Sequence, residues 1–194
     1  MMRRILIIQG HPDATEPHFC HALADAYAAG AQEVGHSVER LDLAKIDIDF
    51  LGSQREQEHG ALGPDIARAQ ESILRAEHVV LVFPLWLGGA PALVKAFLEQ
   101  VLRPGFAYAS DGGPFKGKLL KGRSLRIVIT MGMPAWYYRL VYGAHSLKAM
   151  KVGIFGFVGF RPIAASLIGN VEGNNPAPRK DWLARMRALG AAAV

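Results

Sequence analysis

The run Phe83-Pro84-Leu85-Trp86-Leu87-Gly88-Gly89-Ala90-Pro91-Ala92-Leu93-Val94-Lys95 combines a flat aromatic, apolar walls and glycines that open the backbone to a ligand. It follows an unbroken apolar strand, Val79 to Phe83, and a helix is expected from about Pro91. In open α/β sheets ligands bind beyond the carboxyl ends of strands. This turn suits a large planar heterocycle better than a phosphate. A flavin is the cofactor that fits, and it would make the chain an oxidoreductase. The alternative for Trp86 is an ordinary core aromatic.

A second cluster, His11, Thr15 and His18, precedes a helix beginning near Phe19. The positive end of that helix can seat a phosphate, with Thr15 and His18 as side-chain donors. Equally, His11 and His18 could cap the helix or satisfy loop carbonyls. The same turn, Gln9 to Phe19, has no G-x-G-x-x-G and no P-loop pattern, and the chain has no G-x-S-x-G elbow. Acidic residues are missing from the ends of strands one and three, which argues against a phospho-accepting receiver. The seven histidines show no paired metal-ligand spacing, so no metal site is expected.

These residues need a scaffold that brings strand ends together. Arg4 to Gln9 lacks polar alternation and reads as a strand buried on both faces. Phe19, Ala22, Leu23, Ala26 and Tyr27 give a helix with one apolar face, ended by Gly35. A second strand is expected over Ser37 to Leu43, a surface loop over Ile46 to Leu62, and a helix from Gly63-Pro64-Asp65 to about Ala76. Strand three, Val79 to Phe83, leads to a helix burying Val94, Leu98 and Val101 and stopped by Arg103-Pro104-Gly105. Strand four is Leu125 to Thr130. A helix over Ser146 to Val158, a strand near Phe160 to Ile168 and a closing helix over Asp181 to Leu189 complete the chain. This β-α alternation predicts a parallel sheet with helices on both faces, in a single domain over residues 1–194.

The 194 residues are 51% hydrophobic, enough for a sizeable core. Cys20, the lone cysteine, excludes an internal disulfide and fits a reducing compartment, the cytoplasm. The apolar run after Arg3-Arg4 is too short for a signal sequence, and Val79 to Val94 too short for a membrane span. The net charge of +5 is scattered, the densest group being Lys116, Lys118, Lys121, Arg123 and Arg126. Nucleic-acid binding is not expected from it; a solvated basic surface that gathers nucleotide phosphates is.

Read together, Gly10-His11-Pro12, Phe83-Pro84-Leu85-Trp86, Pro91-Ala92-Leu93-Val94-Lys95, Gly105-Phe106-Ala107-Tyr108 and Ile129-Thr130-Met131-Gly132, followed by Tyr138 and His145, resemble the diaphorase-type NAD(P)H:quinone oxidoreductases. These are flavodoxin-like flavoproteins whose bacterial members include ancillary subunits of potassium-efflux systems. The resemblance spans roughly Arg4 to Leu167. It implies a five-stranded parallel sheet of order 2-1-3-4-5. It places His11, His18 and Phe19 near the ribityl phosphate, Pro84, Leu85, Trp86 and Leu87 along the flavin ring, and Thr130, Met131, Gly132 and Met133 at its polar edge. Tyr138 and His145 match a tyrosine and a histidine that assist hydride transfer. The chain departs from the pattern at Cys20, where asparagine is usual, and at Trp86, one position early. Met131 and Met133-Pro134 replace a threonine and a glycine, and His145 is one residue further from Tyr138.

The activity implied is two-electron reduction of a quinone-like acceptor by NAD(P)H in a ping-pong cycle, with FMN or FAD as cofactor. Pairing of two chains is expected as well. Trp136, Tyr137, Tyr142, Ile154, Phe155, Phe157 and Phe160 supply more apolar surface than one helix buries. Two rival readings stand beside the enzyme. A one-electron flavodoxin-type carrier fits poorly with a pI near 9.5. A regulatory flavoprotein docked on a membrane transporter is not excluded by the residues.

Overall fold

A computed structural model describes residues 2–110, 117–173 and 177–194; Lys116 of the basic group lies outside them. Five strands, β1 (Arg4–Gln9), β2 (Ser37–Asp42), β3 (His78–Pro84), β4 (Ser124–Thr130) and β5 (Ile163–Ile168), form one sheet of order β2-β1-β3-β4-β5. Every pairing is parallel. The apolar runs explain this, since the inner strands are buried on both faces as a helix-covered parallel sheet requires.

Alternate residues of those strands feed two cores. Ile5, Ile7, Val80, Val82 and Val128 pack with α1 (Phe19–Glu33) on one face. Leu6, Ile8, Leu81, Phe83, Ile127 and Ile129 pack on the other face with α3 (Pro64–Arg75) and α4 (Ala92–Val101), which follow a short α2 (Gln54–His59). Beyond β4 come α5 (Ala135–Leu140) and α6 (His145–Lys148). A π-helical stretch, Ala149–Phe155, follows, then one turn, α7 (Gly156–Val158). The closing α8 (Ala177–Ala192) crosses α1 at backbone contact. A Cβ on Gly30 would lie 1.9 Å from the Arg187 carbonyl oxygen, and one on Gly190 2.0 Å from that of Tyr27, so only glycine permits this crossing.

Four details differ from the sequence expectations. The loop over Ile46 to Leu62 contains α2, a helix that buries none of its side chains and so leaves no apolar period to read. The buried face of α1 is Cys20, Leu23, Ala24, Tyr27, Ala28 and Ala31, while Ala22 and Ala26 are only partly covered. The last strand begins at Ile163, and Phe160 instead fills the core with Phe155 at 5.4 Å. Phe155 and Phe160 therefore add nothing to an exposed apolar patch. No helix among the described residues is long and apolar enough to cross a membrane.

Candidate functional site

Parallel pairing puts all five strand ends on one edge, and the registers Gln9↔Val82, Pro84↔Thr130 and Thr130↔Ile168 set the loops after β1, β3, β4 and β5 side by side. The loop after β3 is fixed first. The Trp86 and Gly89 backbones exchange hydrogen bonds at 2.9 Å in both directions. Leu87 (φ 47°) and Gly88 (φ 77°) complete a tight turn with two positive φ values. The turn holds Trp86 half exposed and Leu87 fully exposed. Leu85 N–H donates to the Thr130 carbonyl at 2.7 Å, tying this loop to β4.

Trp86 faces the loop after β1. Its ring lies edge-on to that of His11, 6.1 Å between centroids, and His11 stacks on His18 at 3.8 Å. His11 is buried, and burial first, then the neighbouring His18, holds it below the usual histidine range, so it is neutral at pH 7. His21, which the sequence did not single out, stands 5.5 Å from His11, and its Nδ1 accepts the His18 backbone N–H at 3.1 Å. The spacing of His18 and His21, three residues across a helix start, is that of a capping pair and was a usable signal.

At the N-terminus of α1 three donors meet one carboxylate. Thr15 N–H (2.8 Å) and Thr15 Oγ1 (2.6 Å) donate to Asp13 Oδ1, and His18 Nε2 lies 2.7 Å from Oδ2. The Thr15 hydroxyl foremost, with His18, holds the Asp13 carboxyl far below the usual range. The donor set suits an anion, and an internal carboxylate demonstrates it. One more donor lies under this loop: Gln9 Nε2 is buried without a partner among the described residues, while Gln9 Oε1 accepts the His11 N–H. Phe19 opens α1, with the Arg179 guanidinium 5.9 Å over its ring. No local pattern announces Arg179, because it arrives from α8 at the far end of the chain. Among the described residues no three metal-ligating side chains gather as a site.

The residues after β4 divide. Thr130 is buried, its hydroxyl 3.1 Å from Cys20 Sγ and its carbonyl taken by Leu85. Burial pushes the Cys20 thiol up to about 11, an inert group. Met131 is buried and bonded on both sides to the β5 end, at Ile168 and Val171. Gly132 is exposed and Met133 half-buried, so these two present the surface. The Glu172 carboxylate crowds Gly132, 3.1 Å from where a Cβ would be.

Tyr138 on α5 is buried. Its hydroxyl accepts the Leu147 N–H at 3.3 Å and bonds Ser146, and burial raises its pKa, so it stays protonated at neutral pH. His145 is exposed at the start of α6, its ring against Gly143. The Ser146 hydroxyl lies 4.0 Å from a Cβ built on Gly89, which brings the α6 start to the rim of the Trp86 turn. The fold thus gathers His11, His18, Pro84, Leu85, Trp86, Leu87, Gly132 and Met133 at one edge, with Tyr138 beneath and His145 at the margin.

Several known proteins are similar to this chain. A Haemophilus influenzae protein named "Uncharacterized NAD(P)H oxidoreductase" is 32% identical over 86% of this chain and 84% of its own. Rat NAD(P)H dehydrogenase (quinone) 1 is 27% identical over 97% of this chain and 78% of its own. The solved NAD(P)H:quinone oxidoreductase of Methanothermobacter marburgensis shares the fold with a TM-score of 0.78 at 23% identity, covering 98% of this chain and 96% of that one. An FMN-dependent NADH-azoreductase of Bacillus anthracis, solved in complex with FMN, has a TM-score of 0.74 at 16% identity, covering 97% and 98%. A family model described as "Flavodoxin-like fold" matches residues 3–189, and the chain belongs to that flavodoxin-like family.

Proposed function

We propose that the chain is a flavin-dependent NAD(P)H:quinone reductase acting as a homodimer in the cytoplasm. The observation that carries this is the meeting of Trp86 and His11 at 6.1 Å beside the N-terminus of α1: a planar slot next to a helix start whose Thr15 and His18 donors gather on the Asp13 carboxylate and would have to turn from it to a phosphate. The names of the Haemophilus and rat relatives support it. A bound flavin, FMN or FAD, supplies two-electron transfer from NAD(P)H to a quinone.

The chain's own residues bind and orient. Thr15 and His18 would hold the phosphate, Pro84 to Leu87 would wall the ring, and Gly132 and Met133 would meet its polar edge. His11, kept neutral, contributes a hydrogen bond rather than a charge. The protonated Tyr138 hydroxyl fixes Ser146 and Leu147, and so positions the margin that carries His145. Tyr137, Tyr142, Val152 and Phe157 are exposed and supply an apolar face for a second copy. A basic surface disfavours the rival one-electron carrier, which docks by negative charge.

The test is steady-state turnover of the flavin-loaded chain with NADH or NADPH and a benzoquinone. Reciprocal plots should be parallel, as donor and acceptor take the same place in turn, and light scattering should give a dimer. Absence of quinone reduction with either nicotinamide and either flavin would remove the enzyme reading.

A further inference from the structure

Away from the Trp86 turn, a groove of about 780 Å³ runs along the outer edge of β5. The strand ends the sheet, with β4 on one side and, among the described residues, no strand on the other. The Pro162 and Ile168 carbonyls accept hydrogen bonds from Leu125 and Met131, on the β4 side. In a parallel ladder the inward and outward residues alternate. Ile163, Ala165 and Leu167 therefore turn their N–H and C=O groups outward, and among the described residues no hydrogen bond reaches them.

The walls are basic and aromatic. Trp136 and Arg139 come from α5, Lys151 from the π-helical stretch, and Trp182 and Arg185 from α8, with Arg126 below. Among the described residues no carboxylate lines the groove, and Arg139, Lys151 and Arg185 form no ion pair. Arg185 lies over the Trp182 ring at 4.9 Å, and Trp136 is mostly exposed. A free strand edge of this kind invites pairing unless something blunts it, and the wall charges select what pairs.

We infer that this groove is a docking site for an extended acidic segment of a partner protein, which adds to β5 as a sixth strand. Three features define the occupant. The outward N–H and C=O groups accept a backbone in ladder register. The cations on both walls select glutamate and aspartate side chains. The indoles cover the apolar side chains that alternate with them. A nucleic acid would use the charges but leave the strand edge unmatched. The site is independent of the flavin reading.

The probe is a fluorescein-labelled peptide of alternating glutamate and valine, matched in length to β5 and titrated into the flavin-loaded chain. It should saturate one site and slow amide exchange at Ala165 and Leu167. Arg139→Glu with Arg185→Glu should weaken it about tenfold or more with flavin binding unchanged. A peptide N-methylated at alternate residues should not bind. The proposal is overturned if a lysine–valine peptide binds as tightly, if the N-methylated peptide binds equally, or if the double charge reversal has no effect. It is also overturned if an oligodeoxythymidine displaces the peptide at lower concentration than unlabelled peptide does, or if the groove proves buried against a second copy of the chain.

Discussion

Both edges of the sheet carry histidine, and the two sets are used in opposite ways. At the amino-terminal edge Tyr27 and His78 are buried and bonded at 3.0 Å. Tyr27 donates to the Val194 carbonyl oxygen at 3.2 Å, and His78 Nδ1 lies 2.7 Å from the Ser124 hydroxyl. All polar atoms of the pair are satisfied by a neutral imidazole that donates from Nε2. At the carboxyl-terminal edge His11 and His18 stack beside a half-exposed tryptophan, and Gln9 Nε2 has no partner among the described residues. Satisfied groups at one edge hold the fold; the unsatisfied and exposed ones at the other are available to a ligand. Residue type alone does not separate the two.

The largest effect expected from this contrast is on acid stability. Burial first, then Arg126, Arg3 and His36, lowers the His78 pKa from 6.5 to about 4. The unfolded chain binds that proton near 6.5 and the native chain only near 4. The contribution is therefore absent above pH 6.5, and stability is lost as pH falls towards 4, by about 3 kcal/mol. Denaturant unfolding from pH 7 to 4 should show this loss, and His78→Gln should flatten it. An unchanged slope in the variant would mean that His78 is not the titrating group.

Next comes Trp86→Ala at the opposite edge. Removing a wall of the ring slot should weaken flavin binding about tenfold to a hundredfold, on the scale of ~1–3 kcal/mol for a large apolar side chain. Stability should move by no more than ~0.5 kcal/mol, because the side chain is half exposed after the strand. Unfolding without a specific loss of flavin would make Trp86 a core residue and leave the site to Tyr138 and Gly132.

The two tyrosines sharpen the comparison further. Tyr27→Phe strips a partner from buried His78 and should cost about 1–2 kcal/mol of stability while flavin affinity stays the same. Tyr138→Phe loses only a long 3.3 Å bond from Leu147 and the contact with Ser146. It should leave stability and flavin binding nearly intact and lower turnover. Thermal unfolding and turnover, measured on both variants, distinguish these outcomes.

The parallel sheet and the Trp86 turn were legible because they are written in local chemistry: apolar strands without alternation, then proline, glycine and an aromatic at a strand end; the strand order came from the family resemblance. Helix α2 was not, since it buries nothing and has only its Ser53 cap as a local mark. Which side chains face the site was harder still. The resemblance sets Thr130 at the flavin's polar edge, and the fold adds what no local pattern shows, its hydroxyl 3.1 Å from Cys20 Sγ on another element. Asp13 sits two residues before Thr15 in a turn pattern, but its part in gathering donors emerges only when His18 folds back on it. Arg179 reaches Phe19 only through the packing of α8 on α1.

The central claim is that the carboxyl-terminal edge is a flavin site. The most direct measurement is titration of the purified chain with FMN and with FAD, followed by visible absorbance and by the mass of any flavin released on denaturation. The purified chain should be yellow and bind one flavin per chain with saturation. A colourless chain that takes up neither flavin would contradict it.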